Sequence, residues 1–129
     1  MHKTALALAL VAGCAVAAGP AGAHHSGAMF DRSKIVELKG QVIEYQFANP
    51  HSWIRLMVRD GAAEAGTEWD VETNSPPLMR RFGVTPSNLK PGDVVSLRMH
   101  PLHDGRHGGS LVDITLADGK LYAGPQHAQ

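Results

Sequence analysis

The sequence predicts an all-β domain with one short helix: a five-stranded OB-type antiparallel barrel in the order β-β-β-α-β-β. Three observations carry this prediction. A long first strand changes its apolar phase beside Gly40, as a β-bulge requires. A helix-start signal, Asn74-Ser75-Pro76, follows the third strand. Two further alternating segments then complete the chain. Another small antiparallel barrel or sandwich is the next best layout; alternation with short turns excludes a parallel α/β sheet.

Lys34 to Phe47 reads as the first strand. Val36, Leu38, Gly40 and Val42 share one face, and after the slip Ile43, Tyr45 and Phe47 carry the apolar set. Asn49-Pro50 ends it. His51 to Val58 is the second strand, with Ile54, Leu56 and Val58 inward. A loop follows from Asp60 to Gly66. Thr67 to Thr73 is the third strand, where Trp69, Val71 and Thr73 alternate with Glu68, Asp70 and Glu72. The helix has Leu78, Met79 and Phe82 on its apolar face and stops at Gly83. Lys90-Pro91-Gly92-Asp93 turns into the fourth strand, Val94 to His100, with Val95, Leu97 and Met99 inward. A loop from Pro101 to Gly109 leads to the fifth strand, Ser110 to Ala117, with Val112, Ile114 and Leu116 inward. Leu121-Tyr122 is a short apolar end, and residues 124–129 read as a frayed tail.

Composition narrows the function. The chain has 129 residues, 12 Lys+Arg against 12 Asp+Glu, 8 His and one Cys. One domain is expected at this length. A formal charge of zero argues against a nucleic-acid binder, which needs a basic excess. A single Cys excludes an internal disulfide framework and a Cys-built zinc site.

Residues 1–23 read as a secretory signal peptide. His2 and Lys3 form a positive start, Thr4 to Ala18 is apolar, and Ala21-Gly22-Ala23 is a small-x-small cleavage site. The apolar run is short for a membrane span, which needs about 20 residues. The expected organisation is therefore signal peptide 1–23, N-terminal arm 24–33, barrel 34–123 and tail 124–129. The destination is the periplasm or the exterior, with His24 at the mature amino terminus and no stable membrane span. Val11-Ala12-Gly13-Cys14 offers a competing reading, a lipoprotein box anchored at Cys14.

The histidines carry the chemistry. His24 and His25 sit at the expected mature terminus, and His51 lies between strands one and two. His100, His103 and His107 lie at or in the connection between strands four and five. In an OB-type barrel those two connections flank one binding face, so these groups are expected to converge at one mouth. The ten-residue arm can reach it, since an extended chain covers about 3.3 Å per residue. Imidazole binds zinc, copper, iron and nickel. The amine and ring Nδ1 of a terminal His24 chelate one ion, and His51 or His100 completes a T-shaped nitrogen set. That geometry resembles the histidine brace of secreted copper proteins and suits Cu(II), with zinc second. His25 supplies a competing mode, and His103 is a further candidate.

Other groups have plainer readings. Glu68, Asp70 and Glu72 read as a solvated face rather than an acid–base pair. Trp53 and Trp69 read as core or rim. Met29, Met57, Met79 and Met99 read as core packing rather than a thioether copper site. Gly108-Gly109 reads as hairpin geometry, and Ser52 beside His51 is no catalytic pair, because adjacent strand residues face opposite ways.

Several motifs together resemble a family. They are Ala23-His24-His25-Ser26 with Met29-Phe30-Asp31, Leu38-Lys39-Gly40, Asn49-Pro50-His51-Ser52-Trp53, Leu89-Lys90-Pro91-Gly92-Asp93-Val94, and His100-Pro101-Leu102 with Asp104-Gly105 and Gly108-Gly109-Ser110-Leu111. The pattern resembles an uncharacterised group of small exported bacterial proteins, known as a domain of unknown function. The resemblance implies export and one small domain, and carries over no catalytic residue. His24, His25, His51 and His100 fall within its pattern; His103 and His107 depart from it.

The expected function is thus an exported binding module that holds a transition metal for carriage or buffering. The first alternative is a metal-free module that takes a sugar, peptide or envelope protein at the same mouth. A copper-dependent oxidative enzyme is the second alternative, disfavoured because no substrate cleft is legible. The sequence carries no signal for an oligomeric state.

Overall fold

The computed structural model describes residues 27–123. Six strands and one helix follow a 3-10 turn at Gly27–Met29: β1 (Val36–Gln46), β2 (Trp53–Gly61), β3 (Glu68–Glu72), α1 (Pro76–Phe82), β4 (Val94–Pro101), β5 (Gly108–Thr115) and β6 (Leu121–Ala123). His24, His25 and the expected cleavage site lie outside the described residues, as do Cys14 and the tail from Gly124.

The sheet runs β3-β2-β1-β4-β5-β6 and closes on itself through a β3–β5 pairing, giving a five-stranded barrel with β6 appended. Every seam of the barrel is antiparallel except the closure, where Asp70, Val71 and Glu72 run parallel to Gly108, Gly109 and Ser110. Strand β5 gives its first half to β3 and its second half to β6. The apolar end read at Leu121-Tyr122 thus becomes a sixth strand.

The first strand is bent as its sequence predicts. Its register against β2 shifts between Lys39 and Gly40 and again between Val42 and Glu44. A side chain at Gly40 would strike the Met57 carbonyl oxygen and the Leu56 side chain, so the close approach requires glycine. The bend lets β1 pair with β2 along most of its length and with β4 along its first half.

Leu38, Ile54, Leu56, Val71, Leu97 and Ile114 fill the barrel and are fully buried. Burying such side chains contributes about 1.5–3 kcal/mol each. Helix α1 adds Met79 to this core, and Val84 and Leu89 on the following segment complete it. The helix ends as expected at Gly83, in the left-handed conformation at φ 80°. Ser75 occupies the N-cap position but makes no capping side-chain bond, and Pro76 opens the first turn.

Strand β5 starts two residues earlier than the sequence suggests. Gly108 and Gly109 are not hairpin residues but the buried contribution of β5 to the barrel closure. A Cβ at Gly109 would lie 2.5 Å from the His100 carbonyl oxygen and 2.7 Å from the Met99 sulfur.

Candidate functional site

The β4–β5 connection meets the N-terminal segment on one side of the barrel. Phe30 forms an isolated bridge with Leu102. The Asp31 amide donates to the Pro101 carbonyl at 2.8 Å, and the His103 amide donates to the Met29 carbonyl at 3.0 Å. Residues 29–31 therefore run along the start of the β4–β5 loop. Between them and the outer face of β2 and β3 lies a cleft of about 330 Å3. Phe30 and Met29 wall it, Trp53, Asp70 and Glu72 project from the strands, and Arg106 and His107 come from the loop.

Glu72 is the unexpected member. Alternation puts it outward with Glu68 and Asp70, yet it is only 5% exposed. Its carboxylate accepts a short hydrogen bond from His51 Nδ1. The backbone explains why they meet. Ser52 donates its amide to the Asn74 carbonyl at 2.9 Å, and the Ser52 carbonyl accepts from both the amide and the hydroxyl of Thr73, each at 2.9 Å. These bonds clamp the end of the β1–β2 loop to the end of β3, one residue from each partner. The Asn49–Pro50 peptide bond in the same loop is cis.

The pair is asymmetric. The His51 side chain is 41% exposed, whereas Glu72 is buried and its Oε2 has no hydrogen-bond partner among the described residues. With Nδ1 engaged, His51 has Nε2 left for a ligand. A carboxylate behind an imidazole fixes its ring orientation and its tautomer.

The other histidines divide. His107 lines the cleft and stacks on Trp69, with centroids 5.1 Å apart and planes 8° from parallel. His100 does not line the cleft. Pairing puts Trp53, Glu72, Ser110 and His100 in one outward row across β2, β3, β5 and β4. His100 thus stands two strands beyond Glu72, about 10 Å at the usual strand spacing. Its Nδ1 donates to the Lys34 carbonyl at 2.8 Å. His103 is exposed and contributes its backbone amide to the contact with Met29. Among the described residues no group of three or more His, Cys, Asp or Glu is placed to hold a metal.

Two carboxylates brace the surroundings. Hydrogen bonds from Ser33 and Lys34 hold the Asp31 carboxyl down at about 2. The amide and guanidinium of Arg106 hold Asp104 below its ordinary range, which ties the tip of the β4–β5 loop to itself.

The sequence singles out His51 and the β4–β5 connection; the structure brings His51 onto Glu72 and His107 into the cleft, and leaves His100 outside it. Glu72 and Arg106 as cleft residues have no counterpart in that reading, whereas Trp53, read as core or rim, is half-buried and lines the cleft. A period-two pattern tells which way Glu72 points; it does not tell that Phe30 and the β4–β5 loop wall a cleft on that face.

A family model described as "Family of unknown function (DUF6152)" matches residues 11–111. No curated protein matches the chain. Among solved structures, the ZRD-deleted mutant of TiaS in complex with agmatine aligns with a TM-score of 0.50 and 18% identity, over 77% of this chain and 28% of that one. A complex of TiaS with a transfer RNA and ATP aligns with a TM-score of 0.47 and 17% identity, over 67% of this chain and 19% of that one. The chain therefore spans less than a third of either protein, and at these identities the likeness concerns the fold alone.

Proposed function

The chain belongs to the DUF6152 family, whose function is unknown, and we propose that it is an exported β-barrel binding module that holds a transition metal for carriage or buffering. The metal is Cu(II), with zinc second. The observation that carries this reading is the His51–Glu72 pair. Metal-binding imidazoles characteristically turn their other nitrogen to a carboxylate, and here a buried carboxylate engages Nδ1 while the ring stays partly exposed.

His24 supplies the amine and its ring nitrogen, and His51 supplies Nε2. His25 competes through the amine, the first peptide nitrogen and its own ring. Chain length supports the meeting of these groups. Met29 already stands on the cleft wall, and the five residues back to His24 reach about 16 Å when extended. His51 is favoured over His100 as third ligand because its carboxylate partner lines the cleft that Met29 walls, whereas His100 stands outside it. His103 ranks last, since its loop position is set by the backbone contact with Met29. An N-rich tetragonal set of this kind suits Cu(II).

Native mass spectrometry of the exported protein, purified without added metal, tests the reading. A chain that starts at His24 and carries one copper is the expected result. A chain starting at an acylated Cys14, or a His24 start that stays metal-free when copper is supplied, would overturn it.

A further inference from the structure

A second cavity adjoins the cleft. It measures about 220 Å3 and is lined by Gln46, Trp53, Arg55 and Asp70. Trp53 and Asp70 line both spaces. The outer face of β2 and β3 therefore carries one groove with a half-buried tryptophan at its middle. Gln46 and Arg55 lie on one side, Glu72 and Arg106 lie on the other, and Asp70 borders both.

The kind of ligand follows from what the groove offers. Strand β2 is paired on both sides, with β1 and β3, and β3 is paired with β2 and β5. Trp53 stands between Gln46 and Glu72, and Asp70 between Arg55 and Gly108. Trp53, Arg55, Asp70 and Glu72, the strand residues at the middle of the groove, each have a paired strand on both sides, so an extended peptide finds no backbone ladder there of the kind that strand addition uses. Recognition has to come from side chains. Arg55 donates from Nε to Asp70 Oδ1 at 3.0 Å, and both side chains are about half exposed. That pair offers donors and acceptors side by side, the arrangement that neighbouring hydroxyls match. Both charge signs occur in the groove, which disfavours a polyanion or a polycation.

We infer that the groove binds a linear, neutral oligosaccharide of pyranose units. The apolar face of one ring lies on Trp53. Its hydroxyls, and those of its neighbours, bond to Gln46 and Arg55 on one side, to Arg106 on the other and to Asp70, which borders both. A ligand filling both spaces spans more than one sugar unit. The inference rests on Trp53 and its flanking residues, and stands whether or not a metal binds at His51.

The test is titration of the full exported chain with neutral tetrasaccharides of the chito-, cello-, manno-, xylo- and laminari- series. Calorimetry and tryptophan fluorescence are the readouts. At least one series should bind and change the fluorescence. Trp53→Ala should weaken that binding by about tenfold or more, and Trp53→Phe should recover part of it. The matching disaccharide should bind more weakly than the tetrasaccharide. Circular dichroism checks that each variant folds. No binding of any series at concentrations of about 10 mM would overturn the inference. So would binding that is indifferent to Trp53→Ala in a folded variant, or binding of an extended neutral peptide in place of every glycan.

Discussion

His51 and Glu72 are 21 residues apart in the chain and share a hydrogen bond where the β1–β2 loop meets the end of β3. The bond joins a partly exposed ring to a buried carboxylate and does not merely decorate the surface. An orphaned buried oxygen costs about 1–3 kcal/mol, and Glu72 Oε2 has no partner among the described residues. Stability alone gives little reason to keep a carboxylate there; orienting His51 gives one.

Glu72→Gln should leave the fold intact and weaken copper binding by about 10- to 100-fold. The amide can present either oxygen or nitrogen to His51 and so no longer dictates the tautomer. Competition with a chelator of known strength measures the change. Unaltered affinity in this variant would remove Glu72 from its orienting role.

The barrel closure should be sensitive to a single methyl group. Gly109→Ala meets the His100 carbonyl and the Met99 sulfur, both inside normal contact distance. A loss of about 1–3 kcal/mol or more is expected. Gly66→Ala meets nothing within 4 Å and is strained only through its φ of +87°, at about 1–2 kcal/mol. Denaturant midpoints should therefore fall further in Gly109→Ala than in Gly66→Ala.

Truncating the barrel centre should cost more. Leu56 is fully buried among core side chains, and Leu56→Ala should destabilise by about 2–5 kcal/mol. Urea unfolding with an unchanged slope would assign the effect to the folded core.

Acid should loosen the N-terminal segment. The Asp31 carboxyl is lowered from 3.8 to about 2, first by the Ser33 hydroxyl and then by Lys34. A depressed carboxyl stabilises the folded form fully above its unfolded value and loses that contribution as pH falls through the folded one. Amide exchange at Phe30 and Ser33 should therefore rise as pH falls from about 4 toward 2, after correction for intrinsic rates. In Asp31→Asn this pH dependence should vanish.

The barrel was legible because its signals are local. The phase slip at Gly40, the Asn74-Ser75-Pro76 start and the Gly83 stop each reflect one backbone requirement, and the element order followed from them. The closure through Gly108 and Gly109 was less legible, since a glycine pair reads equally as a turn or as a place where two backbones approach. The site was half legible. His51 stood out by residue type, and the two converging connections came from the fold. Glu72 and Trp53 acquire their roles from residues far away in the chain: His51 bonds to the first, and Phe30 and Arg106 wall the cleft that both line. Alternation within a strand holds no trace of either.

Copper paramagnetic resonance on the chain beginning at His24, compared with its His51→Ala variant, decides whether His51 ligates the metal. A tetragonal, nitrogen-rich spectrum that loses one nitrogen in the variant is expected, with affinity falling by about tenfold or more. A variant whose spectrum and affinity match those of the unaltered chain would contradict that ligation.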